Sequence, residues 1–479
     1  VTRATVVGSG PNGLAAAAVL AVAGIEVTVV EAAATIGGGT RTSELTIPGL
    51  LHDECSGFHP LAVDNPFTRA VDLTEHGLRW SWPEVQHSHP LDGTGRGAAA
   101  RRSIEETAAA LGEDGPAWSK LFAELDRRLD VIEDDLMGPV LGIPRHPIHL
   151  ARFGLLGALP AQVLARRFST PEARALWAGA AAHAIRPLSA PFSSTIGLTL
   201  AVAAHRHGWP VAVGGSRAIT DAMASVVRAH GGVIETGTTI RSLGELEPGG
   251  IVLLDTSPGA AAAIVGDRLP RHVARAYRRY RHGPGASKLD VAVDGGIPWL
   301  HEPSQRAGTV HVGGSFEEIA AAEAEVHRGR MPVRPFVLVG QAYLADPGRS
   351  VGDVHAVSAY AHVPAGYAGD ASDAIVAQIE RFAPGFTDRI VARHVTTARD
   401  LSEDNANNVG GDILNGANSF GQLVGRPRWT ASPYATGVEG IYLCSAATPP
   451  GAGAHGMCGF NAATLALAHL GAATPPSGR

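Results

Sequence analysis

Residues 4–41, ATVVGSGPNGLAAAAVLAVAGIEVTVVEAAATIGGGTR, leave a chain few folds to adopt. They read as an apolar strand, a glycine turn, a helix, a second strand ending on Glu31 and a further glycine cluster. Gly8 lets the chain turn sharply out of Ala4–Val7, Gly10 removes a side chain where backbone must approach a pyrophosphate, and Gly13 lets the helix close on the strand. Pro11 and Asn12 complete the turn, and the helix predicted over Leu14–Ala23 points its amides and positive dipole end at the phosphates. Glu31 closes the strand Glu26–Val30, where a carboxylate accepts from both hydroxyls of an adenosine ribose and repels a 2′-phosphate. FAD or NAD is therefore expected ahead of NADP.

The second cluster, Gly37-Gly38-Gly39-Thr40-Arg41, separates those two. Glycines and an arginine just after a ribose-binding acid resemble the extended dinucleotide motif of FAD oxidoreductases of the amine oxidase and phytoene desaturase superfamily. That resemblance implies that Gly38 and Gly39 pass close to the pyrophosphate and that Arg41 neutralises it.

Two later stretches extend the likeness. His205–Ile240 reads as an approach strand, a Gly214-Gly215 turn, a helix Arg217–His230 and a strand Val233–Thr236, followed by the strand in Gly249–Pro258. Gly440–His469 reads as a strand Ile441–Cys444, a Pro/Gly loop and a helix of small residues from about Gly459. With residues 4–41, Lys288–Trp299 and Asn405–Gly416, nearly the whole chain looks like a phytoene desaturase-like FAD oxidoreductase. The expected fold is α/β: a discontinuous Rossmann-like FAD-binding domain (1–75, 205–285 and 425–479) with a mixed-sheet substrate domain and helical cap (76–204 and 286–424).

By the same resemblance, the backbone of Ile240 touches the adenine, while Ser445, Met457 and Asn461 belong to the segment that closes the flavin site. Its helix N-terminus faces the flavin pyrimidine edge. Lys288 matches the lysine that such proteins place near flavin N5, where it assists the reaction with oxygen; an ordinary strand-end lysine is the alternative. His455 lies in the loop expected over the isoalloxazine, where it exchanges a proton with substrate or is a satisfied loop histidine. Met457 stands roughly where amine oxidases put one wall of an aromatic cage, which argues against an ordinary amine oxidase. One departure is Cys444-Ser445-Ala446, where many relatives carry a glycine and an acid; Ser445 and backbone amides are the substitutes on offer.

Other chemistries find little support. The 479 residues carry a net charge of −6 and no Lys/Arg run, which disfavours nucleic acid. Three cysteines, Cys55, Cys444 and Cys458, suit a reducing cytoplasm, contain no redox CxxC, and lack the motif for covalent flavin attachment, so FAD is expected to be held non-covalently. His87/His89 and His205/His207 form HxH pairs without a suitably spaced third ligand, and no metal is expected. His183 and His205 flank the cap and face substrate or core. The chain opens on the strand that the dinucleotide unit needs, and no signal peptide is expected ahead of it. Ile148–Leu164, with Arg166 and Arg167 behind it, reads as a cap or tunnel helix pair, with peripheral contact to a membrane surface as the other reading. The tail Thr474–Arg479 is expected to be disordered. Monomer and homodimer both stay open.

The reaction expected is hydride transfer from a largely apolar small molecule to flavin N5, as desaturation or oxidation. A peroxide-producing amine oxidase and a non-catalytic flavin-bearing interaction protein are the alternatives. Only 5% of residues are aromatic, so an amine cage has few candidates.

Overall fold

A computed structural model describes residues 2–91 and 93–474, so the end of the Thr474–Arg479 tail lies outside the described residues. The strand Arg3–Val7 is the centre of a five-stranded sheet ordered Ile441–Leu443, Ile251–Leu254, Arg3–Val7, Glu26–Val30, Val233–Glu235. All four pairings are parallel, and the strands are nearly continuous apolar runs because helices cover both faces. Pro11–Val22, Arg217–Ala229 and Met457–Leu470 pack on one face; Pro258–Val265 and Arg271–Arg278 pack on the other. This is the Rossmann-like arrangement expected from the sequence, assembled from three separate stretches of chain.

A second sheet has seven strands, ordered Ile390–Thr396, Gly285–Asp294, Val354–Val363, Val337–Gly340, Ala307–Val312, Val85–Pro90, Gly97–Ala100. Most pairings are antiparallel; Ala307–Val312 runs parallel to Val85–Pro90. Period-two alternation turns Leu289, Val291, Val357 and Val339 toward a core closed by the helix Ser372–Phe382. Lys288, Asp290, Ser358, Tyr360 and His362 alternate with those residues onto the opposite face. That face meets the dinucleotide domain at one end and, at the other, the helices Gly115–Leu136, Pro171–Ala182 and Ser194–Arg206.

Some local readings need correction. Residues 76–100 are not helical: they supply two strands of the second sheet, and His87 and His89 stand within it. Val85–Pro90 is polar and histidine-rich and pairs with the distant Ala307–Val312, which local periodicity cannot reveal. His205 lies in the helix Ser194–Arg206 rather than an approach strand, which shrinks to Val211–Ala212. The final helix starts at Met457 rather than at about Gly459. No single helix among the described residues is long and apolar enough to cross a membrane, and the pair Pro147–Gly157 and Ala161–Arg167 bends by 92°.

Candidate dinucleotide site

Three loops converge at the carboxyl ends of the parallel strands. The turn Gly8–Pro11 enters the helix at Pro11, with Gly8 at φ +103°, a conformation that L side chains rarely adopt. The second glycine cluster folds back on it: Gly37 N donates to Ser9 O at 3.0 Å, and a Cβ on Gly38 would lie 3.0 Å from Gly10 Cα. Gly39 approaches Cys55, whose side chain lies 3.9 Å from where a Cβ would stand. The segment 236–240 passes along the same edge, with Thr238 N donating to Glu31 O at 2.9 Å. Ile240, two residues on, packs partly buried against the cluster of Val7 and Leu254.

Glu31 is 9% exposed. Its Oε2 accepts from Ser9 N at 2.8 Å and Ser9 Oγ at 2.6 Å, and its Oε1 accepts from Ala33 N at 2.8 Å. Oε1, with one amide partner, keeps a lone pair for a ribose hydroxyl. Arg41 Nη2 stands 3.9 Å from Oε1 and donates to Thr35 O at 3.1 Å, so its charge lies at the same mouth. The Oδ1 of Asn12, buried in this turn, has no hydrogen-bond partner among the described residues. The glycine convergence, the acid, the arginine and the open acceptor fit a dinucleotide whose pyrophosphate rests on the helix N-terminus. Glu31→Gln is expected to weaken dinucleotide binding by about 1–3 kcal/mol. Fluorescence titration checks this, and unchanged affinity would remove Glu31 as the ribose acceptor.

The C-terminal segment closes this edge. Ser445 is buried and accepts Thr448 N at its carbonyl, 2.9 Å away. His455 is buried, and its Nδ1 accepts from Met457 N at 3.1 Å, capping the final helix. That bond places the ring proton on Nε2, and burial pulls its pKa down to about 4. The cap occupies one of the amides expected to face a flavin. Met457 is buried in the core around the first helix, while Asn461 Nδ2 donates to Met137 O at 2.8 Å, tying the final helix to the end of Gly115–Leu136.

Lys288 lies at the junction of the two sheets, with a side chain 6% exposed. It ion-pairs with Asp290, which also accepts from Ser358 Oγ at 2.5 Å and faces His52 Nδ1 at 3.4 Å. Burial alone would raise the Asp290 carboxyl; the Lys288 charge and hydrogen bonds outweigh it and hold the pKa below its usual value. The thiol of Cys55, raised by burial, feels the Lys288 charge as well. Since Cys55 touches Gly39, the lysine shares a neighbour with the second glycine cluster. His183 instead meets His311, Nε2 to Nε2 at 2.9 Å, and His205 accepts from Trp118 Nε1 at 3.0 Å inside the cap.

Several residues here were not singled out from the sequence. Asp290 had a readable signal, since Lys288 and Asp290 share one face at period two. Asp255, which follows Ile251–Leu254 as Glu31 follows Glu26–Val30, had one too. Arg349, buried against Asp53 and Asp346, had none, because those acids are distant or in a loop.

Solved structures share this architecture. The chain superposes on a putrescine oxidase variant redesigned in its cofactor binding with a TM-score of 0.60 at 18% identity, covering 98% of this chain and 99% of that one. Cyclohexylamine oxidase from Brevibacterium oxydans IH-35A gives 0.58 at 16% identity, covering 98% of both chains. An oxidoreductase from Methanosarcina mazei gives 0.59 at 14% identity, covering 95% and 98%. Residues 6–72 match the NAD(P)-binding Rossmann-like domain family. At these identities, what the solved structures share with the chain is the fold. By sequence the chain is 26% identical to pyridine nucleotide-disulfide oxidoreductase domain-containing protein 2 of Rattus norvegicus, over 98% of this chain and 93% of that protein. The Mus musculus counterpart is 25% identical over the same shares.

Proposed function

We propose that the chain binds FAD non-covalently and oxidises a largely apolar organic substrate by hydride transfer, as a phytoene desaturase-like dehydrogenase. The observation that carries this reading is the packing of Gly37–Gly39 onto the Gly8–Gly13 turn beside Glu31 and Arg41, with Lys288 at the adjoining face. When bound, the flavin supplies the hydride acceptor. The chain's own part is to hold the dinucleotide, orient substrate, exclude water and keep a positive charge at Lys288. Support for an apolar substrate comes from the apolar core between cap and sheet, which reaches Tyr360, the register partner of Lys288. Anaerobic mixing with polyenes, amines and hydroxy acids tests it. Bleaching of the flavin by the apolar class is expected; bleaching by amines alone would favour the amine oxidase reading, which the fold neighbours keep in play. A flavin that no class reduces would favour a structural role.

Lys288→Met is expected to slow the oxygen half-reaction at least roughly tenfold, the size of losing about 1.4 kcal/mol of transition-state stabilisation, while substrate oxidation changes less. Stopped-flow mixing separates the halves. Equal oxygen rates in variant and parent would return Lys288 to a structural ion pair and point to another electron acceptor.

The cap is the face proposed to rest on an anionic bilayer surface from the cytoplasmic side. Ile148 is 69% exposed and Leu155 71%. Beside them Lys120, Arg152 and Arg167 line a cavity floored by Leu121, Leu125 and Phe153, and these three cations have no ion-pair partner among the described residues. Unpaired cations around exposed apolar side chains complement anionic headgroups. Co-sedimentation with phosphatidylglycerol vesicles, lost in the double variant Arg152→Glu/Arg167→Glu, is the expected result. Equal sedimentation with neutral vesicles, or none with either, would remove this surface.

A further inference from the structure

Asp255 places a carboxyl where a dinucleotide's phosphates would rest. It follows the strand Ile251–Leu254, neighbour of Arg3–Val7 in the parallel sheet. Its backbone is fixed at both ends: the amide donates to Val7 O at 2.8 Å, and the carbonyl accepts from Asn407 Nδ2 at 3.0 Å. The carboxyl then reaches over the start of Pro11–Val22, and Oδ2 accepts from Gly13 N at 2.9 Å. A Cβ on Gly10 would lie 2.8 Å from that oxygen, and one on Gly13 3.0 Å. The carboxyl therefore lies against two of the three glycines that shape the pyrophosphate site. Asp255 is only 8% exposed, and no Lys or Arg pairs with it among the described residues.

An anion at this point opposes a pyrophosphate, because both would compete for the same helix N-terminal amides. A neutral carboxyl does the opposite: its O–H donates to a phosphate oxygen. The surroundings favour the neutral form. Burial, with the charge of Glu31 adding to it, raises the carboxyl to about 7, against the pull of the Gly13 and Gly10 amides. The other titratable groups facing it are thiols: Cys444 after Ile441–Leu443 is raised well above its ordinary value, and Cys458 in Met457–Leu470 is raised to about 12. Neither carries charge near neutrality, and Arg41 has Glu31 as its acid.

We propose that Asp255 is a pyrophosphate-binding residue that takes one proton from solvent when the dinucleotide binds, making cofactor affinity fall as pH rises above neutrality. Carboxylate plus proton gives the carboxylic acid, whose O–H bonds to phosphate; no other bond is made or broken. The sign follows from linkage. Binding a polyanion raises the Asp255 pKa further, so affinity is full below the free protein's pKa. Above it, affinity declines by up to roughly tenfold per pH unit until the bound form also ionises. This inference rests on the FAD reading above.

The test uses protein stripped of cofactor and titrated with FAD from about pH 6 to about pH 9 by fluorescence. Calorimetry in two buffers of different ionisation heat counts protons taken up. The parent is expected to bind several-fold more weakly at the alkaline end and to take up a substantial fraction of one proton per FAD at about pH 8. Asp255→Asn, close in shape and always neutral, is expected to flatten the pH profile and to bind at least as tightly as the parent at the alkaline end. A flat parent profile without proton uptake would overturn the proposal; so would a variant that keeps the parent's slope. The parent's proton count needs no variant to fold. A folded protein that binds FAD at no pH would instead strike at the cofactor reading.

Discussion

Arg349→Ala should destabilise the fold by about 3–5 kcal/mol, because it leaves buried carboxylates without their cation. The guanidinium is 1% exposed and contacts two acids: Asp53 Oδ2 at Nη1, 2.5 Å away, and Asp346 Oδ2 at Nε, 3.1 Å away. Its Nη2 donates to Ala212 O at 2.8 Å. Asp53 is additionally held by Ser216 N at 2.7 Å and Thr42 Oγ1 at 2.8 Å. Burial alone would push the Asp53 carboxyl up, yet Arg349 and these donors keep it below its ordinary value, so removing the arginine leaves the buried carboxyl without the partner that stabilises its charge. This knot joins the chain after the second glycine cluster to the start of the helix Arg217–Ala229 and to the loop between two strands of the seven-stranded sheet. Its loss should therefore loosen the junction of the two sheets as well as lower stability. Urea unfolding followed by tryptophan fluorescence measures the cost; a change below about 1 kcal/mol would show that the junction does not depend on Arg349.

Acid should unfold the protein between about pH 6.5 and pH 4. Histidines converge on the cap side of the seven-stranded sheet: His87 lies 5.3 Å from His311 and 4.8 Å from Trp209, ring to ring, and His311 meets His183. His87 and His89 are fully buried, and desolvation pulls them from 6.5 to about 3 and about 4. His87 has no hydrogen-bond partner on either ring nitrogen among the described residues, so a proton there finds no acceptor. A folded-state pKa below the unfolded one means that only the unfolded chain gains protons as pH falls through 6.5. The stability is fully present above that value and is lost progressively below it, down to the folded pKa. At about pH 4 this costs about 3 kcal/mol per histidine, so His87 and His89 together withdraw about 6 kcal/mol, a large part of what a domain has to lose. Thermal unfolding across this window should show a falling melting temperature, flattened in a His87→Phe/His89→Gln variant. A pH-independent melting temperature would contradict the buried neutral assignment.

The dinucleotide unit was legible because glycine carries conformational information in itself. Gly8, Gly37 and Gly38 hold a positive φ, a Cβ on Gly10 or Gly13 would crowd its neighbours, and Glu31 stands at the end of the apolar strand Glu26–Val30. The second sheet was legible only where a strand was long, as around Lys288. The strand Val85–Pro90 pairs with Ala307–Val312, more than two hundred residues away, a relation that local pattern does not encode. Side-chain partners were the least legible. His455 caps its own helix and Lys288 shares its charge with Asp290, each through a residue two positions away, whereas Asn461 ties the cap in place through Met137, which only the fold brings within about 3 Å.

The most direct measurement is the identity of what the purified chain carries. Acid or heat denaturation followed by mass analysis of the supernatant and of the chain should release free FAD and leave the polypeptide at its unmodified mass. FMN or a nicotinamide dinucleotide in place of FAD, or flavin mass remaining on the denatured chain, would contradict the site as assigned here. So would a folded protein that carries no flavin and takes none up.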